Sequence, residues 1–474
     1  MKANLSSLQT KFLPILFGLI LTIISFMAVT NLIKGAKFNF ILVVSLVLGV
    51  ILVLLLDKYY WIMLPIALAI KDLPFLPIGL IDLSSVVLIG VYFFRLSINK
   101  SKSIKISPIV VLASLPFFWI LLVWFMNPTG LNVFGSRTVG MRYYLTILLS
   151  YFSFLVLTTI KINEKNAKIL FWSLFVGYSC ALVKDILTAS LLGKVDFFEM
   201  SEVEFSGRYE FLSAMYLFVL CYAKYDLLKI FSNFRLILFL IASACMVVFS
   251  GKRLGLFLIG ITPFLKALVY KKHKLLTFIC YFIVAFVLIF AVVADGTVYN
   301  FPESVKRSLS IVVPKYRIKT STGVQDEFRY EVRLRAKNII RQNMWFGRKG
   351  YAFNANDVIW LKYSRNNIDY VVSTGGWHNT WLAFSCDFGI PSAILWGIFL
   401  IYLIKFLYKS TRDTKDFPHI TCCLFFYMVL LYVPIILSNT TGHVASTTKS
   451  FWITSGIVCA LINGAKKEDF GDAQ

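Results

Sequence analysis

Charged residues are scarce in this sequence. They make up 15% of its 474 residues, against about a quarter in soluble proteins, while 58% of the residues are hydrophobic and the mean hydropathy is +0.76. The ten-residue alternation of a membrane barrel is also missing. Apolar runs of about 15 to 25 residues recur instead, long enough to cross a hydrocarbon core of roughly 30 Å. These features predict one all-α polytopic transmembrane helix bundle.

Residues that bind metals or form disulfides are few and dispersed. Seven of the eight cysteines fall inside apolar runs, and their spacing fits neither a disulfide framework nor a zinc site. The four histidines are not clustered, and no Asp-x-Asp pair stands in an outer loop. We therefore expect no metal and no cofactor. A cleavable signal peptide is not expected either, because the first apolar run is long enough to span a membrane and lacks a convincing cleavage site.

Hydropathy predicts about 12 to 14 spans. The uncertainty in this number comes from the third candidate, which is short, contains Pro65 and is followed by Pro74 and Pro77. This third candidate is either a full span or a half-helix that enters the membrane without crossing it. The candidate spans are 12–33, 38–56, 59–70, 77–94, 108–126, 143–160, 169–192, 211–222, 236–249, 254–269, 275–294, 380–406, 420–437 and 451–462.

Lysine and arginine in alternate short loops predict the orientation. The basic loops are 95–105, 161–168, 224–235, 271–274 and 405–415, with Lys466 and Lys467 near the end. They are predicted to be cytoplasmic, as are both termini, and the loops that alternate with them, including 439–449, are predicted to lie outside. His273 and His419 are predicted to lie in cytoplasmic loops between spans, where solvation at the membrane interface explains them. The chain divides into helices 1–294, a long outer loop 295–377, and a segment 378–474 of helices and a short tail.

The long outer loop is itself basic, although such loops are exempt from the charge bias. Cations there are expected if the partner is anionic, such as a pyrophosphate; a solvated loop meeting anionic headgroups is the alternative. Between 326 and 344 apolar residues recur at helical spacing, which predicts an amphipathic helix over the bundle mouth. They are Phe328, Val332, Ala336, Ile339 and Ile340.

A few polar side chains at membrane depth are candidates for function. His378 follows two glycines at the start of a predicted span, and histidine suits proton transfer near neutral pH. Arg253 lies in a tight turn between two apolar spans, where a charge is costly; a snorkelling pair with Lys252 is the alternative. Arg137 and Arg142 flank another span from outside. Lys184 and Asp185 can pair with each other, and Asp82 is unassigned.

Three motifs together resemble a known family. His378-Asn379, nine residues and then Gly389 are similar to the signature of the O-antigen ligase and O-antigen polymerase superfamily. Arg329, followed by Phe346-Gly347, resembles its Arg…Pro-Leu-Phe-Gly segment, and Ser250 to Gly255 resembles its Ser-Arg-Gly turn. The motifs occur in the family's order around a long loop. Arg333 stands where the family usually has Trp, and Ile390-Pro391 replaces the Thr pair frequent in ligases, which favours a polymerase.

The resemblance implies a metal-independent membrane glycosyltransferase. Its donor would be a sugar chain on undecaprenyl pyrophosphate, and its product O-antigen, capsular or exopolysaccharide at the outer face of a bacterial inner (plasma) membrane. His378 would act on the acceptor hydroxyl, and Arg253 and Arg329 would stabilise the pyrophosphate. The residues expected to bind substrate are Lys252, Arg142, Arg137, Arg333, Asn379 and Trp377. Membrane lipid, a chain-length regulator and a flippase are expected partners, and a nucleic acid is not.

Three alternatives stay open at this point. A ligase would transfer the polymer to a lipid A-core sugar. A flippase would move the same lipid-linked sugars, but transporters usually show internal repeats, and none is visible here. A scaffold for cell-wall enzymes would leave the placement of His378 and the arginines unexplained.

Overall fold

A computed structural model describes most of the chain from residue 57 onwards. The described residues are 57–70, 79–97, 104, 106–128, 141–191, 212–250, 253–271, 274–301, 305–306, 309–310, 313, 316, 322–350, 368, 372, 375, 377, 379–436 and 444–468. The predicted spans 12–33 and 38–56 lie outside them.

The described residues are helical and contain no strand, which confirms the all-α prediction. A 3₁₀ turn at Asp57–Ile62 precedes the first helix. The helices are α1 Met63–Ile70, α2 Leu80–Ser97, α3 Pro108–Met126, α4 Met141–Thr159, α5 Glu164–Leu191, α6 Leu212–Lys224, α7 Leu227–Phe231, α8 Phe234–Phe249, α9 Arg253–Tyr270, α10 Lys274–Ala294, α11 Thr322–Gln342, α12 Thr380–Phe388, α13 Ile390–Asp413, α14 Pro418–Ile436 and α15 Val444–Glu468.

Six of these helices are long and apolar enough to cross a membrane, and the chain is a multi-pass membrane protein. The six are α2, α3, α4, α5, α10 and α13, and five shorter apolar helices accompany them. The predicted span 108–126 coincides with α3. The prediction for 451–462 was too short, because α15 begins at Val444. Lys449 was assigned to the preceding loop, but in α15 its ammonium group is neutralised by Asp82 at 3.1 Å.

The chain folds as two compact units. Unit 1 comprises Met1–Ile81, Asn163–Thr322 and Thr411–Val429, and unit 2 comprises Asp82–Ile162, Gly323–Ser410 and Leu430–Gln474. Each unit therefore contains part of the 295–377 loop.

In unit 1, α5 packs against α1 and α6, and α6 packs against α8 and α9. The packing of α1 on α5 is close at Gly177, where a Cβ would lie 2.9 Å from the Cβ of Ala69.

Two charged side chains form hydrogen bonds with the free backbone groups at helix ends. Lys266 donates to the carbonyls of Tyr222, Ala223 and Tyr225 at 2.7, 3.2 and 2.8 Å, which satisfies the end of α6.

The start of α14 is closed by a carboxylate. Glu164 accepts hydrogen bonds from the backbone N–H groups of His419 and Ile420 at 2.8 and 3.1 Å, and it lies 2.6 Å from the His419 ring. The expectation that His419 is simply solvated was therefore wrong. The predicted Lys184–Asp185 pair is present at 3.9 Å, and Ser213 donates to the same Asp185 carboxylate.

The first part of the 295–377 loop folds onto unit 1. Val305, Leu309 and Tyr316 form a buried cluster against Val248, Leu256 and Val292 on α8, α9 and α10. Tyr316 donates to Asp295 at 2.7 Å, and burial together with this bond raises the pKa of its phenol. The phenol stays protonated and ties the loop to the end of α10.

Unit 2 is built around α4 and α15, which pack along most of their lengths. They approach closely at Gly456, where a Cβ would lie 2.8 Å from the Cβ of Leu157. Trp452 contacts the rings of Phe117, Tyr151 and Trp396 within 6.0 Å. The short α12 packs against α3 and α15, so this aromatic core supports the segment that follows His378.

The predicted amphipathic helix is confirmed as α11 in unit 2. Val332 and Ala336 are buried on one face, while Arg333, Arg335 and Lys337 are exposed. The sulfur of Cys386, on α12, lies 3.7 Å from the Ala336 carbonyl. Helix α11 therefore contacts α12 at this position.

Candidate functional site

The N-terminus of α12 is fixed by Asn379. Its backbone is extended (φ −153°, ψ 122°), and its side-chain oxygen accepts a hydrogen bond from the Leu382 N–H at 3.1 Å. This is an N-cap, which satisfies one of the donors that a helix start leaves open. His378 immediately precedes the cap and lies outside the described residues. Its position in the chain is thus the entrance to a helix, as predicted.

The C-terminus of α12 is a sharp break at Gly389, and the prediction of one continuous span over 380–406 was wrong. Gly389 has φ 88° and ψ 164°, a backbone region open essentially only to glycine. The Ser392 hydroxyl lies 2.9 Å from the Phe384 carbonyl and 2.7 Å from that of Gly389, bridging the break. The nine-residue α12 is therefore a separate half-helix ahead of α13.

The carbonyls at the end of α12 are satisfied by other parts of unit 2. A helix leaves its last carbonyls without partners inside the helix. Here the turn that follows α11, residues 343–350, supplies most of the donors, and α3 supplies one. The hydrogen bonds are Arg348 N to Cys386 O at 2.7 Å, Gly350 N to Asp387 O at 2.7 Å and Trp119 Nε1 to Phe388 O at 2.8 Å. We call residues 343–350 the docking turn.

Two glycines allow this approach. Gly347 (φ 58°) and Gly389 both have left-handed backbones, and a Cβ on either would come closer to the opposing backbone than real Cβ atoms do. The Cβ of residue 347 would meet the Cys386 carbonyl, and that of residue 389 would meet the Trp345 carbonyl. Gly347 and Gly389, which belong to two of the motifs identified in the sequence, are therefore in contact. Only a residue without a Cβ fits at either position.

A buried ion pair lies inside the same contact. Arg348 Nε is 2.7 Å from Asp387 Oδ1, and the Asp387 side chain is completely buried. The indole of Trp377 donates to the same oxygen at 2.9 Å. Arg348 also donates to the Val372 carbonyl at 2.5 Å and lies over the Trp377 ring, 5.4 Å from its centroid.

The sequence reasoning missed the pairing of Arg348 with Asp387. A signal was present, because Asp387 is an acid inside a predicted span, and such an acid needs a partner. No sequence pattern near Asp387 identified Arg348 as that partner, because the two residues lie far apart in the chain. Trp377, predicted to bind substrate, is buried and donates to Asp387.

The other predicted site residues are distributed over both units. Arg253 is the first residue of α9 in unit 1, and Arg329 lies on α11 in unit 2; their side chains are outside the described part. Arg333 is exposed on α11, and Arg142 is half-buried at the start of α4. His378, Lys252 and Arg137 are outside the described residues.

The turn with Arg253 lies beside the loop cluster of unit 1. Val248 precedes this turn, Leu256 follows it, and both pack against Val305, Leu309 and Tyr316. The first part of the 295–377 loop thus contacts the helix ends on either side of Arg253, and the docking turn contacts the C-terminal end of α12.

In the comparisons with known proteins, the model of the O-antigen ligase family matches residues 238–397. The matched segment runs from α8 into α13 and contains the Arg253 turn, α11, the docking turn and α12. No curated protein matches the chain. The family match supports a ligase- or polymerase-type function in the assembly of polysaccharide at a membrane.

Proposed function

We propose that the chain polymerises lipid-linked oligosaccharide repeat units, and the match of residues 238–397 to the O-antigen ligase family model supports this proposal. The donor is a growing sugar chain on undecaprenyl pyrophosphate, and the acceptor is the terminal sugar hydroxyl of another lipid-linked unit. The product is an O-antigen, capsular or exopolysaccharide chain.

The observation that carries this proposal is the position of His378 at the start of a half-helix. Asn379 caps α12 directly after His378, and α12 is only nine residues long. The positive end of its dipole therefore faces the segment with the histidine and favours negative charge there. Broken helices in membrane proteins use their N-termini for anionic substrate groups in this way. A base and a preference for anions then coincide at one end of α12.

The mechanism is a direct displacement at the anomeric carbon of the donor. The acceptor oxygen forms the new glycosidic bond while the bond from the anomeric carbon to the pyrophosphate oxygen breaks. His378 takes the proton of the acceptor hydroxyl, and the configuration at the anomeric carbon inverts. Arg253 and Arg329 stabilise the charge that develops on the departing lipid pyrophosphate.

The substrate contacts are assigned to basic residues around this centre. Lys252, Arg137 and Arg142 supply further cations for the pyrophosphate, and the exposed Arg333 does so from α11. The reaction takes place at the outer face of the bacterial plasma membrane, with both termini in the cytoplasm. A chain-length regulator and the flippase that delivers the repeat unit are the partner proteins.

Replacing His378 by alanine tests the proposal. Polymer should disappear from cells that carry His378→Ala, while the variant reaches the membrane at wild-type level. His419→Ala is a matched control, because His419 belongs to unit 1 and pairs with Glu164; it should keep making polymer. Unchanged chain length and yield in His378→Ala would remove this histidine from the mechanism.

Ligation is the second candidate, favoured by the family whose model matches, which is described as O-antigen ligase. The carbohydrate of a deletion strain separates the two functions. Single repeat units on the carrier indicate a polymerase, and long carrier-linked chains beside bare lipid core indicate a ligase. A flippase is excluded if the protein, reconstituted in vesicles, changes the size of the lipid-linked sugar.

A further inference from the structure

The Arg348–Asp387 pair is too deeply buried to be explained by stability alone. Asp387 is completely buried, and the Arg348 side chain is only 11% exposed. Removing two charges from water costs roughly as much as their attraction returns, so a buried pair is frequently replaceable by apolar residues. A role in positioning neighbouring groups explains the pair better than a contribution to the folding free energy does.

The contacts of this pair reach the segment that leads to His378. Trp377 is the residue before His378, and its indole is held by Asp387. Asp387 lies near the far end of α12, a helix of nine residues and therefore about 13 Å long. Trp377 must therefore lie alongside α12 for its indole to reach Asp387.

Arg348 holds the same segment at a second point. It donates to the Val372 carbonyl, which also accepts from the Gly375 N–H at 3.3 Å. Its guanidinium covers the Trp377 ring, an arrangement that favours a cation over an aromatic face. Trp377 on one side and the Asn379 cap on the other therefore fix both neighbours of His378.

We propose that Arg348 and Asp387 are positioning residues that set the placement of His378 through the indole of Trp377. The inference rests on the proposed function, in which His378 takes the acceptor proton. Arg348 connects the docking turn to the histidine segment, so the placement of the 295–377 loop and the placement of the base are set together. Neither residue needs to touch the sugar or the lipid.

Trp377→Phe is the sharpest test, because it keeps a six-membered aromatic ring for Arg348 to cover and removes the five-membered ring with the N–H that Asp387 accepts. Trp119→Phe is the matched control. Trp119 also stacks on the docking turn, at Phe346, and also donates one indole hydrogen bond to the end of α12. Among the described residues, its hydrogen bond and its ring stacking do not involve the segment 372–377. Both variants lose one indole hydrogen bond to the end of α12; the bond of Trp377 is buried and that of Trp119 is part-buried.

The assay uses full-length protein in liposomes and the lipid-linked repeat unit extracted from a strain that lacks the gene. For Trp377→Phe we expect kcat to fall about 10- to 100-fold, as for small misplacements of a catalytic group, with KM nearly unchanged. Trp119→Phe should keep its kcat within about threefold of wild type, because it removes no contact to the reacting groups. Equal losses of kcat in both variants, or a change of KM alone, would overturn the proposal.

Arg348→Lys makes the same test if Trp377→Phe does not reach the membrane. Lysine keeps the charge beside Asp387 but cannot also bond the Val372 carbonyl and cover the indole. Its kcat should fall while its KM stays, and a wild-type kcat would refute the positioning role. The proposed function fails separately: it fails if wild-type protein does not lengthen the lipid-linked sugar, or if His378→Ala still does.

Discussion

Gly389→Ala tests the contact on which the candidate site depends. The backbone at this position has φ 88° and ψ 164°, and forcing another residue into that region costs about 1–3 kcal/mol. The new Cβ would also run into the Trp345 carbonyl and the Phe346 nitrogen. These are backbone atoms with little freedom to move, so overpacking adds about 1–3 kcal/mol.

The two effects together amount to about 2–6 kcal/mol, against a total stability on the order of 5–15 kcal/mol. For a folding unit of 150–250 residues this corresponds to a fall in Tm of roughly 5–20 °C. The measurement is thermal unfolding of the purified protein in detergent, followed by the loss of the monodisperse peak. Polymer formation should fall as well, because the docking turn loses its contacts with the C-terminal end of α12.

Gly90→Ala is the matched control for Gly389→Ala. Gly90 lies inside α2, and a Cβ there would meet nothing within 4 Å. Alanine in a helix interior is favoured over glycine by about 0.5–1 kcal/mol, so this variant should be as stable as wild type or slightly more stable. The steric argument is refuted if Gly389→Ala is no less stable than Gly90→Ala.

The remaining predictions concern a helix cap and a buried lysine. Asn379→Asp keeps a cap oxygen for Leu382 and should retain stability, whereas Asn379→Ala should lose about 0.5–2 kcal/mol; a loss of polymer by the stable Asp variant in cells would indicate that the amide also binds substrate. Lys266→Met leaves the carbonyls at the end of α6 without their donor and should lower the Tm by an amount equivalent to about 1–3 kcal/mol. Unfolding of Lys266→Met at the wild-type temperature would show that the three bonds contribute nothing net.

Hydrophobic periodicity and hydropathy predicted those helices whose character is determined by residues close together in the sequence. The span at 108–126 agrees with α3, since an apolar run and Pro108 fix both its character and its start. The amphipathic helix was visible because Val332 and Ala336 recur on one face of a polar stretch. Both features depend on residues a few positions apart.

Features that depend on distant residues were not predictable in this way. Hydropathy stays high across Gly389, so it does not register a change of φ at one residue, although Pro391 shortly afterwards is a usual sign of a helix end. Asp387 has its partner Arg348 in another segment of the chain. Lys449 looked like a loop residue because the carboxylate that neutralises it, on Asp82, is brought close only by folding.

The predicted catalytic residues were identified by motif and not by geometry. The structure describes the elements that hold them, namely the start of α9, the helix α11 and the capped start of α12. Their roles in the reaction stay predictions, which His378→Ala and the reconstitution assay test.

The contact between Gly347 and Gly389 imposes an order on biosynthesis. Synthesis runs from the N-terminus, so residues 343–350 leave the ribosome before residues 380–389 do. During this interval the docking turn has nothing to bind, and its N–H groups are hydrated. The docking turn can therefore make its final contacts only after α12 has been synthesised. A chain truncated before residue 380 should accordingly expose the docking turn to protease, and the full-length chain should protect it.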